Sequence, residues 1–205
     1  MKRWIALLLC GAMALALWGC AAEEEIPGDQ ALLTVNGEVI FTGQDLENYM
    51  IEQEVRYEVR GQAQDSRDEV FREMAERRLL AYAARQLGIN ADTTFLEEQY
   101  DLHMEEIQDT DIYGDELEFA EKLQEALGMD DETFRQWNID ENIIEYDIEN
   151  LLTDVTDSFS QIQTAEIMEE QMVENLAAFL RMYEIECTYP GMEDWFPTFE
   201  YTVLA

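Results

Sequence analysis

Cys20 is the residue whose position in the sequence most directly indicates covalent chemistry. It ends the segment MKRWIALLLCGAMALALWGC, in which two basic residues precede an apolar run of about 15 residues that closes with small side chains. That order is typical of an export signal. The apolar run is also shorter than the roughly 20 residues that span a bilayer as a helix. The sequence therefore predicts an exported protein.

The residues around Cys20 sharpen this prediction through a resemblance. Leu17-Trp18-Gly19-Cys20 resembles the lipobox of bacterial lipoproteins, in which signal peptidase cuts before the cysteine and the thiol receives a diacylglyceryl group. The resemblance implies cleavage between Gly19 and Cys20, lipid attachment at Cys20, and a location on the extracytoplasmic face of the cell membrane. Two acyl chains are sufficient for stable anchoring. An uncleaved anchor and an ordinary signal peptide are the alternatives.

Two groups of residues were compared with metal sites, and neither has the complete set of ligands. Asp109, Asp111 and Gly114 occupy positions 1, 3 and 6 of a calcium loop, but Ala120 stands where a bidentate Glu is required. We therefore expect an acidic connector there. His103 has no second His or Cys at ligand spacing, which favours a surface histidine over a metal ligand. With 47 acidic residues, neighbouring carboxylates indicate no catalytic pair. The sequence predicts no metal and no cofactor.

Net charge restricts the possible partners. Without residues 1–19 the chain has 10 basic and 47 acidic residues, a formal charge of −37. Nucleic acid is excluded because phosphate binding requires a cationic surface, and anionic lipid headgroups would repel the body. The membrane would be reached through the lipid alone. Cys187 would be the one cysteine of the folded part, so we expect no disulfide and a small buried side chain.

The chain divides into a tether and one domain. Residues 20–30 are acidic, contain Pro and Gly and show no periodicity, which favours a flexible tether. The stretch LLTVNGEVIFTGQDLENYM follows. Its Asn-Gly pair predicts a type I′ hairpin of strands 32–35 and 38–41. Thr42 and Asp45 then form a capping box, so a helix begins at about Gly43.

The remaining chain reads as a series of helices followed by a strand. Capping boxes, C-cap glycines and apolar residues at helical spacing mark the helix boundaries. We predict helices from the Ser66 cap to Gly88, from Thr94 to about Asp109, from 116 to the Gly128 cap, from Asp130 or Asp131 through 151, and over about 164–182. Alternation of apolar and polar residues over 185–189 then predicts a half-buried strand.

Three blocks of this pattern resemble one family. VNGEVIFTGQDLENYM, DEVFREMAERRLLAYAARQLGI and LGMDDETFRQWNIDENIIEYDI occur in the order found in the SurA/PrsA-type N-terminal chaperone domain, which the C-terminal region of trigger factor also resembles. FLRMYEIECTY resembles the last helix and returning strand of PrsA-like chains. The resemblance implies a mainly α fold over 31–189, in which the C-terminal strand completes the N-terminal hairpin and a helical cradle receives unfolded polypeptide.

The same resemblance shows what is missing. A parvulin isomerase domain of such chains would stand between the last two helices, where only residues 153–163 occur, and His103 is the only histidine. We therefore expect no enzyme and no catalytic residues. Residues 190–205 form an aromatic tail that either covers the cradle or packs outside it, and packing is the favoured reading. The candidate polypeptide-binding residues are Met104, Phe119, Trp137, Ile144 and Met172, although such side chains can equally form core.

These observations predict a membrane-anchored lipoprotein that binds unfolded or partly folded secreted proteins without isomerase activity. Apolar contact would supply most of the binding, and the acidic surface would favour basic segments. The alternative is an accessory subunit that binds one dedicated folded partner. A solute-binding receptor would require a closed pocket with convergent polar groups.

Overall fold

The computed structural model describes residues 26–157 and 165–198. The predicted signal and the cleavage and lipid sites at Gly19 and Cys20 therefore lie outside the described residues. Among the helices that are described, none combines the length and the apolar character needed to cross a bilayer.

The described chain is mainly helical, with one small antiparallel sheet. Two strands open it, six helices follow, and a short strand closes it. The elements are β1 Ala31–Val35, β2 Glu38–Thr42, α1 Gly43–Arg60, α2 Arg67–Gln86, α3 Thr93–Glu106, α4 Thr110–Leu127, α5 Asp131–Asp157, α6 Ala165–Leu180 and β3 Ile185–Cys187.

The sheet joins the two ends of the described chain, as predicted. Asn36 and Gly37 have φ values of 52° and 81°, the positive values that a type I′ turn requires. The strand order is β2-β1-β3, so β1 lies in the centre. Leu33 pairs with Cys187, and beyond the strand end the Asn36 N–H donates to the Glu184 carbonyl at 2.7 Å. The clasp between hairpin and final strand is therefore confirmed.

Local capping explains most helix starts, and the structure corrects two of the predicted starts. Thr42 with Asp45 and Ser66 with Glu69 form the predicted capping boxes. For α3, however, the N-cap is Asp92 and not Thr94, because its carboxylate accepts the Phe95 N–H at 3.2 Å. Asp130 caps α5 by accepting the Thr133 N–H at 2.9 Å.

The second correction concerns the expected acidic connector before residue 116. Helix α4 already begins at Thr110 and continues through this region, with a kink at Tyr113, whose φ is −120°. The segment that was compared with a calcium loop is therefore mostly helical.

The main core lies between the sheet and α2. Phe71 of α2 is fully buried and stacks on Tyr189 with ring centroids 4.2 Å apart, while Trp195 packs against its edge at 5.8 Å. The Tyr189 hydroxyl donates to Asp68 at 2.7 Å, and the Thr198 N–H donates to Glu76 at 2.8 Å. The described part of the aromatic tail thus packs on the core, as favoured from the sequence.

A smaller core lies where α1, α4 and α5 meet. Val55, Leu123 and Phe134 are 3 to 5% exposed and contact one another there. Helix α5 also packs along α2 and α3, so it is shared by both halves of the helical body. The spaces left between these helices are the candidate site.

Candidate functional site

Helices α1, α2, α4 and α5 enclose a cavity of about 470 Å³, which we call the acidic cavity. Its lining residues recur at helical spacing, so each helix presents one face to it. On α5, for example, Trp137, Glu141 and Glu145 follow one another at intervals of four. The full lining is Tyr49, Glu52, Gln53, Arg56, Gln62, Ala63, Asp65, Val70, Glu73, Met74, Arg77, Phe119, Leu123, Trp137, Asn138, Glu141, Asn142 and Glu145.

Negative charge predominates in this lining, since five carboxylates face two guanidinium groups. Arg56 forms an ion pair with Glu52, one turn earlier on α1. Arg77 of α2 forms an ion pair with Glu145 of α5. Both cations of the lining therefore already have an anionic partner.

A buried network closes one wall of the acidic cavity. Arg78 donates to the Glu141 carboxylate at 2.7 Å and to the Tyr49 hydroxyl at 3.2 Å, and the Tyr49 hydroxyl donates to Glu141. The Arg78 and Glu141 side chains are 18% and 17% exposed. Burial raises the pKa of Tyr49 far above its ordinary value and also raises that of Glu141, although Arg78 lowers both. The network fixes α1, α2 and α5 relative to one another.

Glu73 is the half-buried carboxylate of the lining that has no cation close by. No Lys, Arg or His nitrogen of the described residues lies within 4.0 Å of it. Burial raises the pKa of Glu73, which Arg77 and Arg56 counteract from a longer distance and which Asp65 and Glu52 reinforce. A cationic ligand would compensate this unfavourable environment.

On the other side of α4, helices α3, α4 and α5 enclose a second cavity of about 480 Å³, which we call the aromatic cavity. Apolar and aromatic side chains form most of its wall, with a few polar groups among them. The lining is Arg60, Leu96, Gln99, Tyr100, His103, Met104, Ile107, Glu116, Phe119, Ala120, Leu123, Phe134, Asn138, Asn142 and Tyr146. This combination is usual for sites that bind apolar groups in a defined orientation.

The polar groups of the aromatic cavity are mostly engaged with the protein itself. His103 Nε2 lies 3.6 Å from Glu116. The Arg60 guanidinium lies over the Phe119 ring, 4.8 Å from its centroid. The Asn138 amide donates to the Phe134 carbonyl at 2.8 Å. Apolar contact is therefore what this cavity chiefly offers a ligand.

The candidate polypeptide-binding residues are distributed unequally. Met104 lines the aromatic cavity, Trp137 lines the acidic cavity, and Phe119 lines both. Ile144 is 4% exposed and belongs to the main core, where a ligand does not reach it. The side chain of Met172 lies outside the described residues, although its backbone belongs to α6. Three of the five candidates thus meet at adjoining cavities.

The charged residues of the acidic cavity were not predicted from the sequence. Arg77 offered a signal, because it falls within the apolar stripe of α2 and a cation placed there requires a buried anion. The identity of that anion, Glu145, depends on how α5 packs against α2, and the sequence contains no local pattern for that contact.

Metal and thiol chemistry find no further support here. Within the described residues, no three His, Cys, Asp or Glu side chains are grouped so as to hold a metal ion. Cys187 is a free, buried thiol, as expected, and burial raises its pKa.

Comparisons with protein-family models, curated proteins and solved structures find no match to this chain.

Proposed function

We propose that this protein is a lipid-anchored, extracytoplasmic chaperone-like protein that binds segments of non-native secreted polypeptides. The observation that carries the proposal is the pair of adjoining cavities between α1, α2, α3, α4 and α5. Each lies in the range of about 300 to 1,000 Å³ usual for ligand sites. The resemblance of three sequence blocks to the SurA/PrsA-type chaperone domain supports the same function.

The surface beside the aromatic cavity also favours polypeptide binding. Phe95 and Leu102 of α3 are 43% and 52% exposed, and the Phe95 ring packs edge-on against Tyr146 with centroids 6.2 Å apart. Apolar surface therefore continues from the cavity wall to the outside of α3. An extended segment bound in the cavity would find further apolar contacts there, and Met104 could adapt to different side chains.

The proposal includes anchoring through Cys20 and excludes isomerase catalysis. The lipobox-like segment supports the anchor, and the acidic body would remain separated from anionic headgroups by the tether. Catalysis of prolyl isomerisation must lower a barrier of about 18–20 kcal/mol. We expect the body, residues 21–205, not to accelerate it.

A light-scattering assay tests the binding function. The body should suppress aggregation of a denatured model protein, and Met104→Glu should weaken this suppression because it places a charge in the wall of the aromatic cavity. Met182→Glu is the matched control, since Met182 is 70% exposed and lines neither cavity. Absence of suppression by the unmodified body, at any ratio of body to client, would refute the chaperone function.

One observation favours the alternative of a single dedicated partner. Ion pairs between helices, such as that of Arg77 with Glu145, give the acidic cavity a defined shape. A defined shape is suited to one ligand, whereas a binder of many sequences benefits from adaptable surfaces. Capture of one protein in stoichiometric amount from an extracytoplasmic extract, with no suppression of aggregation, would establish the accessory role.

A further inference from the structure

The acidic cavity contains a carboxylate and an aromatic ring that have no cation close by among the residues the structure describes. Arg56 and Arg77 already pair with Glu52 and Glu145. Glu73 has no cation within 4.0 Å among the described residues, although burial disfavours its charged form. The lining therefore retains an excess of negative charge after its internal ion pairs are formed.

The indole of Trp137 lines the same cavity. It stacks on Phe134, with centroids 6.1 Å apart, and the described residues place no Lys or Arg over it. Phe119, in contrast, already has Arg56 and Arg60 over its ring, at 5.9 and 4.8 Å. Because Trp is the most favourable ring for a cation, the cavity offers both electrostatic components of a cation site, a carboxylate and an aromatic face.

The aromatic cavity adjoins this site directly. The two cavities share Phe119, Leu123, Asn138 and Asn142 in their linings. The carboxamides of Asn138 and Asn142 lie one turn apart on α5, at the boundary between the cavities. Side-chain amides can both donate to and accept from a peptide backbone. A polypeptide crossing this boundary would present successive side chains to the two cavities.

We propose that the two cavities together recognise one extended polypeptide segment, with a lysine or arginine side chain in the acidic cavity between Glu73 and Trp137 and an apolar side chain in the aromatic cavity. This rests on the proposed polypeptide-binding function and adds the sequence class that is preferred. Charge complementarity selects the cationic residue, and the Met104, Phe134 and Tyr146 walls select the apolar one.

The test uses fluorescent dodecapeptides of Gly and Ser that carry one Phe and one Lys a few positions apart. Binding to the body is measured by anisotropy at physiological salt. Replacing Lys by norleucine, which keeps the chain and removes the charge, should weaken binding by about tenfold. Replacing Phe by Ser should weaken it by a similar factor. Equal binding of the Lys and norleucine peptides would overturn the proposal.

Variants of the protein separate a local site from the general negative field. Glu73→Gln should abolish most of the preference for Lys over norleucine, while Glu149→Gln, which removes the same charge from an exposed position of α5 outside both cavities, should leave it unchanged. Trp137→Leu should reduce the preference in part. An equal loss in Glu73→Gln and Glu149→Gln would mean that net charge alone attracts the peptide, and the proposal would be wrong.

The peptide-binding and aggregation experiments together distinguish failure of this sequence preference from failure of the proposed chaperone function. If the body suppresses aggregation but does not distinguish Lys from norleucine, the sequence preference fails and the chaperone function stands. If no peptide binds and aggregation is not suppressed, both fail. Circular dichroism of each variant establishes that it is folded, and the Lys and norleucine comparison on the unmodified body does not depend on any variant.

Discussion

At the scale of single residues, the Arg78–Glu141 pair is a contact that links three helices of the body. Glu141 accepts from both Arg78 and Tyr49, so three helices converge on one carboxylate. Such a pair contributes little net stability compared with apolar residues of the same volume, because both charges must lose water. Removing only one of the two residues is costly, because the charge of the other residue then remains buried without a partner.

We predict that Arg78→Met destabilises the body by about 3–5 kcal/mol, because it leaves Glu141 buried without its cation. The double variant Arg78→Met, Glu141→Met should regain most of that loss, since neither charge then remains. Urea unfolding of both variants measures the two free energies. A double variant as unstable as the single one would show that packing, and not the uncompensated charge, dominates.

Glu73 should make stability depend on pH. The pKa of Glu73 in the folded state is raised above the ordinary value of 4.5, because burial disfavours its charged form. With respect to this group, the free energy of unfolding is therefore highest below pH 4.5 and falls as the pH rises through the folded pKa. Arg56, Arg77, Glu52 and Asp65 surround Glu73 in the wild type and its replacement in the variant alike. Glu73→Gln should therefore raise the urea midpoint at pH 7.5 and leave it nearly unchanged at pH 4.

A midpoint that Glu73→Gln leaves unchanged at both pH values would show that the carboxylate is well solvated.

Among side-chain contacts, the partners three positions apart at two helix starts were predictable, whereas the distant partner of Arg78 was not. The capping boxes of Thr42 and Ser66 involve residues three positions apart, and both were predicted correctly. Arg78 and Glu141 are 63 positions apart. Their contact depends on the packing of α2 against α5, and among so many acidic residues no local pattern singles out Glu141.

At the scale of elements, the final strand and the residues after it hold the sheet against α2. Tyr189 is 4% exposed, stacks on Phe71 and donates to Asp68. Side chain and backbone therefore act together, because β3 supplies hydrogen bonds to β1 while Tyr189 supplies buried apolar area.

We predict that Tyr189→Ala destabilises the body by about 3–5 kcal/mol, as expected for removal of a buried aromatic side chain. Tyr189→Phe retains the stack on Phe71 and loses the hydrogen bond to Asp68, so it should cost about 1 kcal/mol. Thermal or urea unfolding measures both. Similar losses in the two variants would assign the effect to the hydroxyl instead of the ring.

The elements themselves were predicted well where local signals were strong. The hairpin, α1, α2, α5 and the closing strand follow from turn, cap and periodicity patterns. The start of α4 was placed six residues too late because Asp111, Gly114 and Asp115 are weak helix formers. That first part of α4 is helical in spite of its sequence, and the kink at Tyr113 marks the change between the two parts.

At the scale of the whole molecule, charge and anchoring have to be considered together. The body has a formal charge of −37 without residues 1–19, so it has no attraction to an anionic membrane of its own. Retention at the membrane would depend on the lipid at Cys20.

We predict that Cys20→Ser abolishes lipid attachment and leaves an unprocessed precursor, because the Cys20 thiol is the proposed acceptor of the lipid. Metabolic labelling with a fatty acid, followed by electrophoresis of the immunoprecipitated protein, measures both effects. Cys187→Ser is the control, since that cysteine is buried in the folded body. Label that persists in Cys20→Ser would refute the lipoprotein assignment.

Because β1 lies between β2 and β3, the sheet can be completed only after β3, near the end of the described chain, has been synthesised. Asn36, directly after β1, pairs with Glu184, 148 residues later. A chain that emerges N-terminus first therefore exposes one edge of β1 until almost the entire body has followed, and closing so long a loop costs about 4–5 kcal/mol of chain entropy. Folding should consequently be late and cooperative, and the incomplete body should itself be a client for other folding factors.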